Sequence, residues 1–381
     1  MNGGLRFSGV PVWSICPREG VIVSAARYGI TPVLEFRARH AVGAGVPPRF
    51  AAALFRSRYE RMPAGIGAHS VSVSAVFDSV RVAAACHLRD TEAFLGCWPR
   101  LMMSSLTTAE LEAAASQFTA ETAAVAADEQ SRLFATLYQR AGWGHSARVG
   151  LAEDPGPLTG VPLAGLLGRC HAYTAVTPDG FRLSADLLAQ VAYEQPANEA
   201  PRLLPRLTDQ AGPDAVASVS LGWAGPAWHE PDFPAFYIAG RTLGGTHNSI
   251  LMRILRAERG WSYSPWAAVH LRPGGALLEL QARVGHERVA SARTAILESL
   301  AVLRDVPEED LRAAAAASEG QLRIGASSQA GLAGTINHYE FLGFRLAGLD
   351  DLFTAIAGLT PVDVADVSDR HLCPPDVIDG N

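Results

Sequence analysis

Arg256 and Tyr263 close a strongly marked stretch, Leu243-Gly-Gly-Thr-His-Asn-Ser-Ile-Leu-Met-Arg-Ile-Leu-Arg-Ala-Glu-Arg-Gly-Trp-Ser-Tyr263. A guanidinium carries a permanent charge and a phenol donates a hydrogen bond, so the pair has the chemistry to stabilise a developing oxyanion. The elements that must position them are legible. Ile250, Leu251, Ile254 and Leu255 recur at helical spacing, Asn248 or Ser249 can cap the start, and Gly260 stands where a left-handed C′ residue belongs. One short amphipathic helix is expected. On a wheel of about 100° per residue, Arg256 points away from its apolar stripe. Tyr263 falls just past the stop, where a β-like run begins.

This compound pattern resembles the C-terminal repeat of the pitrilysin-type zinc peptidases, the inverzincin family that includes the mitochondrial processing peptidases. The family segment reads Leu-Gly-Gly-x-x-x-Ser-x-Leu-x-x-x-Leu-Arg-x-x-x-Gly-x-x-Tyr, matched here by Leu243, Gly244, Gly245, Ser249, Leu251, Leu255, Arg256, Gly260 and Tyr263. The resemblance implies that Arg256 and Tyr263 are presented to a substrate. Gly244, Gly245, His247, Asn248 and Ser249, at the helix entrance, are the candidate substrate-binding positions. For His247 a capping or solvated role is the competing reading.

Composition bounds the alternatives. The chain has 381 residues, 48% of them hydrophobic, enough for two cores of about 190 residues each. The formal net charge is -6 with no run of like charges, which argues against nucleic acid or an anionic membrane surface as the main partner. All 32 basic residues are Arg, as a GC-rich genome would favour. Cys16, Cys86, Cys97, Cys170 and Cys373 show no C-x-x-C spacing, the N-terminus lacks a signal-peptide layout, and no apolar run approaches the roughly 18 residues of a spanning helix. A cytoplasmic location is expected.

Along the chain, β-like runs (Val10 to Ile15, Gly20 to Ala26, Pro32 to Phe36) precede a Gly/Pro turn at 43–48 and a helix from Phe50 to Tyr59. Two strands follow between Val71 and Cys86, then Ala-rich helices to about Arg140, a loop over 150–168 and a last strand near Phe181 to Leu187. Four Pro mark 195–213 as a linker between domains 1–194 and 214–381. Beyond it the order recurs: strand 216–223, helix 235–242, the Leu243 segment, strands near 263–271 and 276–284, then Ala-rich helices. Leu106-Thr-Thr-Ala-Glu-Leu111 stands 200 residues before Val306-Pro-Glu-Glu-Asp-Leu311, with His87 and His286 preceding them. The expected fold is α+β, a tandem duplication of two homologous domains, each an antiparallel-rich sheet packed with helices, as the resemblance also implies.

At that offset the twin of the Leu243 helix is Pro48-Arg-Phe-Ala-Ala-Ala-Leu-Phe55. Catalytic members of the family carry His-x-x-Glu-His there, two zinc ligands and a base. Aligned on Phe55, those positions hold Pro48, Ala51 and Ala52, which can neither ligate metal nor move a proton. Glu121 and Glu129, candidates for the third ligand, read as ordinary helix-surface acids. No two of the eleven His are three or four residues apart, and no Gly-x-Ser-x-Gly elbow, P-loop or complete dinucleotide pattern occurs. Cys86 and Cys170 read as buried fillers rather than nucleophiles, and Ser327-Ser328 as structural.

The resemblance implies two functions to weigh. One is the non-catalytic subunit of a bacterial heterodimeric zinc peptidase: no cofactor in this chain, zinc in a homologous partner carrying His-x-x-Glu-His, and a peptide substrate, for which a leader peptide is an attractive guess. The other is a catalytically dead peptide-binding or scaffold protein of the same fold.

Overall fold

A computed structural model describes residues 5–7, 10–16, 20–24, 33–42, 46–62, 68–76, 79–141, 158–167, 170–177, 216–272, 274–372 and 377–379. They form two sheets with helices against them. The first sheet runs β1 (Leu5–Phe7), β2 (Val10–Cys16), β3 (Gly20–Ser24), β7 (Cys170–Thr177), β4 (Val33–Ala41), β6 (Ser79–His87) and β5 (Ala68–Val76). Its pairings are antiparallel except β3 with β7. The second sheet is antiparallel, in the order β11 (Ile378–Asp379), β8 (Val216–Gly225), β10 (Gly275–Gly285) and β9 (Trp266–Arg272). This is the α+β, antiparallel-rich architecture that the periodicities imply.

The duplication is visible in the order of elements. β4, the helix Pro48–Glu60 and the hairpin β5–β6 lead into a 3-10 turn at Leu88–Asp90, just after His87; β8, the helix Phe233–Gly244 and the hairpin β9–β10 lead into another that starts at His286. Chain order therefore pairs Pro48–Glu60 with Phe233–Gly244. The expected pairing with the Leu243 segment is replaced, because that segment is an extra helical piece between helix and hairpin.

The chain divides into two compact units that do not follow its halves: Met1–Val125, Arg148–Ala197 and Arg323–Ala347 in one, Ala126–Ala147, Asn198–Leu322 and Gly348–Asn381 in the other. In the first, alternation on β4 sends Leu34, Phe36 and Ala38 into a core with Phe50, Leu54, Phe55 and Trp98. The opposite face of β4 and β7 is covered by the helix Gln329–Leu342, whose Gln329 Nε2 donates to Val33 O (2.6 Å) and Val176 O (3.0 Å). In the second unit β8 takes the helix Glu129–Arg140. Each unit thus contains a helix distant in sequence from its sheet. The linker expected at 195–213 and the strand expected at Phe181 to Leu187 lie outside the described residues; β7 forms earlier, at Cys170–Thr177.

One ion pair ties the first core together. Arg58 Nε donates to Glu110 Oε1 at 2.9 Å with both side chains nearly covered, and its other nitrogens donate to the carbonyls of Leu101, Ser104 and Ser105. Glu110 also accepts from Thr107 N and Oγ1 (2.8 and 2.9 Å), capping the helix Thr108–Ala127. Among the described residues no helix is long and apolar enough to cross a membrane.

Candidate functional site

The Leu243 segment is positioned by what surrounds it. The helix Phe233–Gly244 packs on β9, and Gly244 sits at the closest approach: a Cβ there would lie 2.2 Å from Ala267 N. The first Gly of the Gly-Gly pair is thus required by the backbone behind it. Helix resumes at Ile250, but it is not the α-helix read from the sequence. Met252–Glu258 is wound as a π-helix, a rare form that recurs at functional sites. Arg259 N donates to Ile254 O at 3.2 Å, five residues back, and Trp261 N and Ser262 N both donate to Leu255 O. Gly260 ends the element with φ +62, its N–H on Arg256 O at 3.2 Å, the left-handed stop expected.

Neither Asn248 nor Ser249 caps the start. Ser249 is buried, and its Oγ has no hydrogen-bond partner; the entry is held instead by backbone bonds from Ser249 N to Thr246 O and from Arg253 N to Ser249 O. His247 and Asn248 are exposed, and Gly245 is half-buried with its N–H on Arg241 O. The apolar stripe behaves as expected, with Ile250, Leu251 and Leu255 buried and Arg256 exposed.

The two candidate catalytic side chains meet. Arg256 Cζ lies 4.3 Å from the centroid of the Tyr263 ring, and Tyr263 is 78% exposed. Neighbouring arginines are engaged: Arg253 with Asp310 at 3.5 Å, Arg259 with Glu298 at 3.2 Å, and Arg259 and Arg288 both against the Trp261 ring. Arg256 joins no ion pair among the described residues. Its guanidinium N–H groups and the Tyr263 hydroxyl are donors without a carboxylate to neutralise them, the state that an oxyanion needs.

The positions that the resemblance matches to zinc ligands belong to the first unit. Pro48, Ala51 and Ala52 lie on the helix Pro48–Glu60, with Ala51 and Ala52 at 0% and 1% exposure in the first core. Glu121 is held by Arg56 at 2.6 Å; the side chain of Glu129 lies outside the described residues. Among the described residues no group of three or more His, Cys, Asp or Glu is placed to hold a metal. The Cys86 and Cys97 thiols are buried. Burial chiefly pushes Cys86 up to about 12 and Cys97 up to about 11, so both stay protonated and unreactive.

One polar cluster escaped the sequence reading. Glu279, fully buried on the central strand β10, accepts from Ser220 Oγ at 3.1 Å and pairs with His270 Nε2 at 2.9 Å, under Phe134 and Tyr138. The carboxylate stands between hydroxyl and imidazole, the reverse of the order in which an imidazole activates a serine and a carboxylate orients the imidazole, and the group reads as a core network. Its signal was cross-strand pairing, which a linear pattern does not carry.

Comparison with known proteins adds a matching segment and a fold. Residues 185–318, the stretch containing the Arg256–Tyr263 segment, match the family described as Peptidase M16 inactive domain. No curated protein matches the chain. Among solved structures, the peptidase M16 inactive domain from Pseudomonas fluorescens aligns with a TM-score of 0.75 at 16% identity, covering 97% of this chain and 96% of that one. A chain of complex III2 from Candida albicans gives 0.73 at 12%, covering 97% and 95%. A putative M16-like peptidase from Alicyclobacillus acidocaldarius gives 0.69 at 16%, covering 97% of each. At these identities the likeness is one of fold. Residues 185–318 are thus similar in sequence to the peptidase M16 inactive domain, and over nearly its whole length the chain is similar in fold to these structures.

Proposed function

We propose that this chain is the non-catalytic subunit of a two-chain zinc peptidase, contributing Arg256 and Tyr263 to a site that a homologous His-x-x-Glu-His subunit completes. The observation that carries this reading is the contact itself: an exposed guanidinium over an exposed phenol, with no carboxylate on the guanidinium. The residues standing at the family's ligand positions, Pro48, Ala51 and Ala52, do not fit a metal, so none is assigned to this chain. When bound in the partner, zinc would supply the Lewis acid for hydrolysis.

The work of this chain follows from its own side chains. As a peptide carbonyl becomes tetrahedral its oxygen gains charge; Arg256 and Tyr263 donate hydrogen bonds to it, each contributing about 2 to 4 kcal/mol where water is excluded. The cation–π contact pre-sets both groups, so little order must be imposed on binding. His247 and Asn248, exposed at the segment's entrance, are proposed peptide contacts, as is the Gly245 backbone; a leader peptide is the proposed substrate and the cytoplasm the proposed location. Ser249 is left out because its side chain is buried.

The test is to coexpress the chain with the product of an adjacent gene encoding His-x-x-Glu-His and to assay a peptide library with each chain alone and with both. Turnover only in the mixture, lost in Arg256→Ala, supports the proposal. Copurification with undiminished turnover in Arg256→Ala and Tyr263→Phe refutes it and favours the scaffold reading.

A further inference from the structure

The face of the first sheet opposite the helix Pro48–Glu60 carries a polar row that the Arg256–Tyr263 site does not use. Strand registers set Ser74 of β5 opposite Arg81 of β6, Arg81 opposite Arg39 of β4, and Arg37 of β4 opposite Thr174 of β7. Side chains two apart on a strand share a face, so four adjacent strands present Ser74, Arg81, Arg39, Arg37 and Thr174 to one side. The helix Gln329–Leu342 lies over part of it. At Gly334 a Cβ would stand 3.3 Å from Arg37 Cζ, so the guanidinium is held close between helix and sheet.

One of the three arginines is accounted for. Arg39 donates through Nε to Ser79 Oγ at 2.7 Å and through Nη1 to His338 Nδ1 at 3.2 Å, and its guanidinium lies 3.9 Å from the Phe341 ring centroid. Because an arginine only donates, His338 Nδ1 must accept, which makes that ring neutral. Burial first, then Arg39 and Arg81, push His338 down to about 3, in agreement.

The others are not accounted for. Arg81 makes no hydrogen bond or ion pair among the described residues. Arg37 Nε, Thr174 Oγ1 and Ser74 Oγ are buried atoms without hydrogen-bond partners, and Thr174 is fully buried. Burial and the charge of Arg81 lower Arg37's pKa, with Glu35 the opposing carboxylate. Three guanidiniums thus share a face with one acid. Unpaired buried donors and adjacent like charges are both unfavourable, and one oxyanion removes both costs.

We infer that Arg37 and Arg81, with Thr174 and Ser74 as hydroxyl donors, form a binding site for a single oxyanionic group, a carboxylate or a phosphate. Diagonal neighbours on adjacent strands stand about 7–8 Å apart, within the reach of two arginine forks closing on one anion. Arg81 is half-buried while Ser70 and Ser72 of β5 are exposed, so the row opens to solvent at its β5 end. The site lies on residues separate from Arg256 and Tyr263 and does not depend on their role.

Calorimetry on the full chain tests this at constant ionic strength. One arm titrates inorganic phosphate; the other titrates a neutral acetylated peptide with a free C-terminal carboxylate, beside the same peptide amidated. Saturable one-to-one binding, weakened about tenfold or more in Arg81→Gln, is expected. Binding of phosphate alone assigns the free ion; preference for the acid peptide over its amide assigns a peptide carboxylate. Thr174→Val, which removes only the hydroxyl, should also weaken binding and covers the case in which Arg81→Gln fails to fold. Absence of saturable binding to either probe, or equal affinity in wild type and both variants, overturns the site.

Discussion

Arg256 sits over the ring of Tyr263, 4.3 Å from Cζ to the ring centroid, and this contact joins the end of a π-wound helix to the residue that leads toward β9. The pairing places the charge and the phenolic hydroxyl within reach of one small group. Arg256→Ala is expected to cost the isolated chain only about 0.5–1 kcal/mol, the value of an exposed cation–π contact. The same substitution should lower turnover of the assembled pair by about 10²–10³, as removal of an oxyanion donor does. Urea unfolding and single-turnover assays separate the two effects; a large stability loss with unchanged turnover would make Arg256 structural.

Much of this arrangement was legible in the chain. The apolar spacing of Ile250, Leu251 and Leu255, the outward Arg256 and the left-handed Gly260 all read correctly, because burial and positive φ are local demands on residue type. The π winding did not, since one extra residue per turn leaves the same apolar positions buried and changes only which backbone bonds form. Twinning the Leu243 helix with Pro48–Phe55 failed because Ala-rich helices align with one another at many offsets, whereas strand order fixes one. Also hidden were the sheet seats of Gln329–Leu342 and Glu129–Arg140, whose apolar stripes say that they pack but not on what.

Gly244→Ala should be more damaging to the fold than Arg256→Ala. The added carbon meets Ala267 N at 2.2 Å and Trp266 C at 2.6 Å, both backbone, so β9 itself must shift. A loss of about 1–3 kcal/mol is expected in urea unfolding. Wild-type stability would show that the helix–strand spacing is looser than the structure has it.

The Arg58–Glu110 pair predicts an acid-sensitive first unit. Burial pushes the Glu110 pKa up, but the hydrogen bonds from Arg58 and Thr107 outweigh it and hold the carboxyl below its ordinary value. A lowered folded value means that the stabilisation is present at neutral pH and fades as pH falls through that value. Glu110→Gln, leaving Arg58 buried without its counter-charge, should cost about 3–5 kcal/mol at pH 7. It should also flatten the acid side of the stability profile; a parallel downward shift at every pH would mean that the charge is not what matters.

Cys86 and Cys97 should resist alkylation at neutral pH in the folded chain and react once it is unfolded. Burial keeps both thiols protonated, and Cys97 Sγ also contacts Phe94 O at 2.8 Å. Mass spectrometry after a timed iodoacetamide pulse reads this directly, and labelling of either residue without denaturant would contradict its burial.

The helix Glu129–Arg140 offers a test of the division into units. Residues 141–215 separate it from β8 in the chain, yet Leu137 is fully buried over Gly222 of β8 and Gln130 Nε2 donates to Gln281 Oε1 at 3.1 Å. If packing on β8 is what holds this helix, Leu137→Ala should cost about 2–5 kcal/mol, the range for emptying a buried leucine site. Hydrogen exchange should then quicken in residues 129–140 and in β8, while β4 and β6 in the other unit keep their protection. Uniform loss of protection across both sheets would instead show that the two units unfold as one, and unchanged exchange in 129–140 would show that its own backbone, not the sheet, sustains it.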